Sequence, residues 1–157
     1  MSSDSQLDPV RCEVEVNAPP ERVFAAFTED LGSWWPAEYT WAQTTLEDIA
    51  IESSQGGRCH ETGPHGFSCD WGRVLEFEPP RRLVFTWQIS PDRTPQPDPE
   101  RSSEVEVTFE QVENGTKVGL EHRAFERHGE EGEGYREALG SEHGWPYMLD
   151  CLVKSLG

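Results

Sequence analysis

The sequence predicts an α+β domain in which a curved antiparallel sheet of six to seven strands wraps around one long C-terminal helix, with two short helices after the first strand. Three observations carry this. Apolar and polar residues alternate through 104–110 and 117–123, on either side of an Asn114-Gly115 pair that makes a tight hairpin turn. Further alternating runs follow one another through short turns, which implies antiparallel neighbours. Trp145, Met148, Leu149, Leu152, Val153 and Leu156 fall on one helical stripe, the only large apolar face available to cover such a sheet.

The elements follow in order. Val10, Cys12, Val14 and Val16 alternate with Arg11, Glu13 and Glu15, a half-buried strand. Pro19 and Pro20 suit a first helical turn, and Val23, Phe24 and Phe27 recur at helical spacing, so 20–29 is a short helix. Residues 31–36 form a second helical turn ended by Pro36, and 37–45 are irregular. Residues 46–52 form a strand with Ile49 and Ile51 on one side. After a Gly56-Gly57 turn, 58–62 is a strand, 63–66 a hairpin loop, and 68–78 a long strand closed by Pro79-Pro80. Residues 83–89 alternate again. Residues 91–101 hold four prolines and no hydrophobe, a mobile loop rather than a linker. Residues 135–139 make either an extra helical turn or the start of one longer kinked C-terminal helix. The domain spans 9–157, and 1–8 is a disordered tail.

Composition narrows the function. The 157 residues carry 13 Lys and Arg against 30 Asp and Glu, a net charge of −17. Nucleic-acid binders need a basic face, so a phosphate-backbone partner is excluded, and an anionic membrane surface is equally disfavoured. The acidity reads either as a solvated surface that maintains solubility or as adaptation to high salt. No apolar run reaches the ~18 residues of a membrane span. Residues 1–6 lack the basic-then-apolar pattern of a signal peptide, so Cys12, Cys59, Cys69 and Cys151 are expected as reduced thiols in a cytoplasmic protein. Cys59 and Cys69 could form a cross-strand pair. Adjacent strand residues such as Cys59 and His60 cannot both face one ion, and no cofactor motif or phosphate loop is present.

Several motifs then stand in order: Asn17-Ala-Pro-Pro-Glu-Arg-Val-Phe24, Trp34-Trp-Pro36, Gly56-Gly-Arg58 with Glu61, Gly72-Arg-Val74, Glu78-Pro-Pro-Arg-Arg-Leu-Val-Phe85 and Gly144-Trp145. Together they resemble the Aha-type branch of the START/SRPBCC superfamily, named after the activator of the heat-shock-protein-90 ATPase, over residues 9–156. Ser102-Ser-Glu104, Glu121-His122 and Gly144-Trp-Pro146 are most similar to the group containing the calicheamicin self-resistance protein. The resemblance implies a helix-grip (START/Bet v 1-like) fold with an internal cavity, and a binding role rather than a defined reaction.

The candidate site follows from residue chemistry. Six tryptophans are many for so small a core. They serve either as core and lid packing or as flat walls for a planar ligand. Trp35, Tyr39 and Trp41 sit at the pocket mouth, near the irregular segment. Trp71, Phe85, Trp87, Trp145, Met148, Leu149 and Leu152 supply the remaining lining. His122 shares the inward parity of Val118 and Leu120, so it is either a proton donor or acceptor in the cavity or a core histidine satisfied by a backbone carbonyl. Glu61 and Arg73 stand on adjacent strands as a pair that anchors a ligand or neutralises itself.

Four functions are carried forward. The first is binding of a small hydrophobic or planar aromatic ligand without catalysis. The second, from the resemblance, is self-resistance by sequestering a reactive natural product such as an enediyne. Residues 73–114 contain no glycine, which leaves that loop no glycine α-hydrogen to sacrifice to a diradical. The third is a cyclase or hydrolase using His122, and the fourth a co-chaperone of the heat-shock ATPase. An exposed edge strand could pair two copies as a homodimer.

Overall fold

A computed structural model describes residues 8–36, 39–40, 42, 46–90 and 94–156. Seven antiparallel strands form one sheet: β1 (Val10–Val16), β2 (Asp48–Ile51), β3 (Arg58–Thr62), β4 (Ser68–Glu78), β5 (Arg82–Trp87), β6 (Ser103–Val112) and β7 (Gly115–Arg123). Their spatial order is β1-β7-β6-β5-β4-β3-β2, so the first strand closes against the last and every other neighbour is a hairpin. The described residues also hold three α-helices: α1 (Pro20–Phe27), α2 (Gly132–Gly140) and α3 (Trp145–Leu156). The predicted second helix after β1 is a single 3₁₀ turn, Leu31–Ser33. The C-terminal segment is two helices, not one kinked helix, broken at 141–144.

The inward side chains of the sheet and the stripe of α3 (Trp145, Met148, Leu149, Leu152) bury one continuous core. At one end α1 inserts Phe24 against Phe77 and Phe109, with ring centroids 5.3 and 5.1 Å apart. No described helix is long and apolar enough to cross a membrane.

Two bulges in β4 bend the sheet and decide which residues face the core. His60 pairs with Asp70 while Cys59 pairs with Gly72, so Trp71 is an extra residue in β4. Val74 pairs with Phe85 and Glu76 with Val84, which leaves Leu75 extra in the same way. Each bulge increases curvature and shifts the side-chain alternation by one. Trp71, Val74 and Phe77 therefore all reach the core although strict alternation would separate them. Gly72 is needed where the first bulge brings the strands together, since a Cβ there would lie 2.2 Å from the Thr86 carbonyl oxygen.

Some expectations change. The fifth strand stops at Trp87, because Gln88 turns its backbone and side chain to the returning loop: its carbonyl accepts from the Gln96 N–H at 2.9 Å and its Nε2 donates to the Gln96 carbonyl at 3.0 Å. Residues 94–101 are thus tied to the sheet and end in a 3₁₀ turn, Pro99–Arg101. Cys59 faces Gly72 across the strands and Cys69 faces Glu61, so the two thiols are not a pair, and all four cysteines are free. The expected tail at 1–8 lies outside the described residues except for Asp8, whose carbonyl accepts from Arg136 Nε at 2.6 Å.

Candidate functional site

Beneath α2 and the start of α3 the sheet does not close on the helices. A cavity of about 340 Å³ remains, within the ~300–1,000 Å³ typical of small-molecule sites. Its floor is Ile49 from β2, Glu61 from β3, Trp71 from β4 and Trp87 from β5. Trp35 and Tyr39 form one wall, and Tyr135, Leu139 and Met148 form the other. Ala138 and His143, both exposed, mark the mouth together with Ser141. The Tyr39 hydroxyl donates to the His143 carbonyl at 2.9 Å across that mouth.

The indoles form a connected cluster rather than a plug. Trp35 lies 5.8 Å from Trp71 at 31° and 6.2 Å from Trp87 at 38°, so three flat faces share the wall. Their polar edges are mostly consumed. Trp34 Nε1 donates to the Ala26 carbonyl at 2.7 Å. Trp87 Nε1 donates to the Tyr135 hydroxyl at 2.7 Å, which itself donates to the Ile89 carbonyl at 2.9 Å. Trp145 Nε1 donates to His122 Nδ1 at 2.9 Å. The buried Trp71 Nε1 has no hydrogen-bond partner among the described residues. Glu61, fully buried on the floor, accepts from the Ala42 N–H at 2.7 Å.

Of the predicted lining, Trp35, Tyr39, Glu61, Trp71, Trp87 and Met148 bound the cavity, and Trp41 lies outside the described residues. Phe85, Trp145, Leu149 and Leu152 do not line it: they pack one layer deeper, with Phe85 edge-on to Trp71 at 5.9 Å and Trp145 against Trp87 at 5.4 Å. Arg73 does not pair with Glu61. The bulge at Trp71 turns it to the outer face, where its side chain is 47% exposed and its guanidinium lies 3.6 Å from Asp70.

His122 is inward and fully buried but does not line the cavity. An indole N–H can only donate, so Nδ1 accepts and Nε2 carries the proton. Nε2 then donates to Ser103 Oγ at 2.6 Å, and the Ser103 hydroxyl donates to His128 Nε2 at 2.8 Å. The partners are side chains, not the expected backbone carbonyl. Burial pushes the His122 pKa well below the ordinary value, with His128 adding to the effect, and burial holds His128 at about 4. Both imidazoles are therefore neutral, and both ring nitrogens of His122 are satisfied internally. A Ser103–His122 nucleophile pair is ruled out by proton direction, because His122 gives Ser103 a hydrogen bond rather than taking its proton.

Sequence reasoning passed over Thr40, Ile49, Ile89, Tyr135, Leu139 and the 141–144 turn. Tyr135 and Leu139 stand four apart, one helical turn, and that spacing was the available signal. Among the described residues, no three His, Cys, Asp or Glu side chains converge as a metal site.

Residues 17–157 match the family described as Activator of Hsp90 ATPase homolog 1-like protein. No curated protein matches the sequence. Among solved structures, an anthrahydroquino-γ-pyrone synthase, Txn09, is 33% identical, with 96% of this chain and 98% of that one covered at a TM-score of 0.68. Protein NE0264 from Nitrosomonas europaea is 18% identical over 95% and 94% of the two chains at a TM-score of 0.67. DynU16, a putative protein of the dynemicin biosynthetic locus, is 21% identical at a TM-score of 0.60, with 96% of this chain covering 47% of that one. These likenesses agree with the sheet order and the gripped C-terminal helix: the chain has the helix-grip fold and belongs to the Activator of Hsp90 ATPase homolog 1-like family.

Proposed function

We propose that this protein binds a planar aromatic small molecule in the cavity between the sheet and the helices α2 and α3. The observation that carries the reading is the pair of indoles, Trp35 and Trp71, 5.8 Å apart and tilted by 31°, lining an open volume rather than filling it. Flat aromatic faces reward a flat guest through stacking and burial, at ~25 cal/mol per Å² of apolar surface removed from water. Titrating anthracene-type three-ring compounds against indole fluorescence tests it. Saturable quenching at one ligand per chain is expected, and it weakens when Thr40→Trp fills part of the cavity. Quenching that stays linear to the solubility limit overturns the reading.

A second reading is a cyclase acting in the same cavity. It is favoured by the 33% identity, along nearly the whole of both chains, to a synthase named for a γ-pyrone product. His122 is not the acid–base group in this reading, since it is walled off from the cavity. Glu61, Tyr39, Tyr135 and His143 are the titratable residues that line it. A 2-hydroxyaryl 1,3-diketone closes to a γ-pyrone when the phenol oxygen adds to the distal ketone carbon and water leaves. The rate of that closure with protein over buffer, followed by absorbance and by the loss of one water in the mass spectrum, is the test. No acceleration by the wild-type chain removes this reading and leaves the binding one.

A further inference from the structure

The rings around the cavity and the charge beneath it share one electrostatic preference. Trp35, Tyr39, Trp87 and Tyr135 line the cavity. Aromatic faces are electron-rich and attract a cation more strongly than a neutral group. Glu61 lies at the floor on β3, fully buried. The Ala42 N–H that donates to it at 2.7 Å is a neutral donor, so that bond fixes the carboxylate without cancelling its charge. The charge is felt across the strands: burial raises the Cys69 thiol to about 11, and Glu61 is the next cause in that rise. Among the described lining residues there is no lysine or arginine. The His143 ring, at the mouth, lies 3.6 Å from the Glu142 carboxylate.

We infer that the cavity takes an aromatic ring system that carries a protonated amine. The inference rests on the cavity being the binding site, as proposed above, and adds the charge of the ligand. It asks for no direct bond to Glu61. A buried carboxylate acts through space, in a medium of lower dielectric than water and out of reach of screening ions. Taking an ammonium out of water is costly, and the rings and the carboxylate together offset that cost. An anionic ligand pays the same desolvation and meets repulsion from Glu61 and from a chain of net charge −17. So acidic a surface also gathers cations at the mouth, but salt screens that part of the attraction.

Three probes share one ring system and differ in charge: 9-(aminomethyl)anthracene, protonated at neutral pH, 9-methylanthracene and 9-anthracenecarboxylate. Indole quenching of the wild-type chain is expected to give the ammonium an affinity roughly tenfold above the methyl compound, with the carboxylate weakest. The advantage over the methyl compound persists when salt is raised from about 0.1 M to about 1 M, because a surface attraction is screened over that range and a buried one is not. Glu61→Gln keeps an acceptor for the Ala42 N–H and removes the charge. It is expected to cut the advantage by about threefold or more and to leave the affinity for 9-methylanthracene unchanged. Should that variant not fold, the wild-type salt comparison decides alone. An ammonium that binds no better than the methyl compound overturns the inference and leaves the cavity reading standing. So does a carboxylate that binds as well as the ammonium, or an advantage that vanishes at high salt or survives Glu61→Gln in full. No saturable binding of any of the three overturns both.

Discussion

Trp145 gives its indole proton to Nδ1 of His122 across 2.9 Å, and that contact sets the direction of every hydrogen bond beyond it. The order runs from Trp145 to His122, to Ser103 and to His128, and ends on a ring that carries its own proton at Nδ1. The function of this relay is structural. It holds α3 to β7, β6 and the turn that precedes α2.

The first prediction concerns tautomers. Nitrogen NMR of the wild-type chain at neutral pH is expected to show His122 protonated at Nε2 alone and His128 at Nδ1 alone. Trp145→Phe removes the donor and leaves a buried acceptor unmet, which costs about 1–3 kcal/mol in addition to any lost packing. Denaturant unfolding measures it. A wild-type His122 protonated at Nδ1 contradicts the assigned direction.

The second concerns pH. Both histidines have folded pKa values below the unfolded value of ~6.5, so the unfolded chain takes up protons first as pH falls. Their contribution to stability is complete above about pH 6.5. It is lost as pH falls toward the His128 value of about 4, and the lowered His122 value adds to the loss. Urea midpoints are expected to drop between pH 7 and pH 5, above most carboxylate titration, and His128→Gln should reduce the slope. A flat profile over that window refutes the buried neutral pair.

The third concerns the latch at the cavity wall. Tyr135→Phe deprives Trp87 Nε1 of its acceptor and the Ile89 carbonyl of a donor. A loss of about 1–3 kcal/mol is expected. Hydrogen exchange should quicken at 87–89 while β6 and β7 stay protected. Uniform quickening across the sheet would mean that the hydroxyl supports the whole fold rather than this wall.

The fourth concerns the bulge under the site. Gly72→Ala places a methyl 2.2 Å from the Thr86 carbonyl oxygen, a backbone atom that cannot step aside. A loss of about 2 kcal/mol or more is expected, with Trp71 shifted and probe binding weakened. Gly119→Ala is the control, because its closest neighbour is the Thr108 side-chain oxygen at 2.9 Å, which can rotate away. Equal thermal shifts for the two variants would show that the bulge is not rigid.

The sheet was legible wherever alternation ran unbroken. Residues 104–110 and 117–123 fall inside β6 and β7, and Ile49 and Ile51 face the core as their parity requires. The stripe on α3 was equally plain. Arg73 was misplaced because Trp71 and Arg73 share parity, and only a bulge, formed by pairing with β3, separates them. Ile89 fell outside β5 because Gln96 competes for the backbone of Gln88. His122 was placed inward on correct parity, yet its chemistry depended on Ser103, His128 and Trp145, none adjacent to it in the chain.

The sequence by itself determined the alternation that makes strands, the stripe that makes the C-terminal helix, the acidic surface and the supply of aromatic faces, because all of these are read from residue types and short-range spacing. The tertiary structure alone decided which indole N–H meets an acceptor, which imidazole nitrogen keeps its proton and which side of β4 each residue takes. Hydrogen-bond partners and bulges come from strands and helices tens of residues away, and a period of two along one strand carries no record of them.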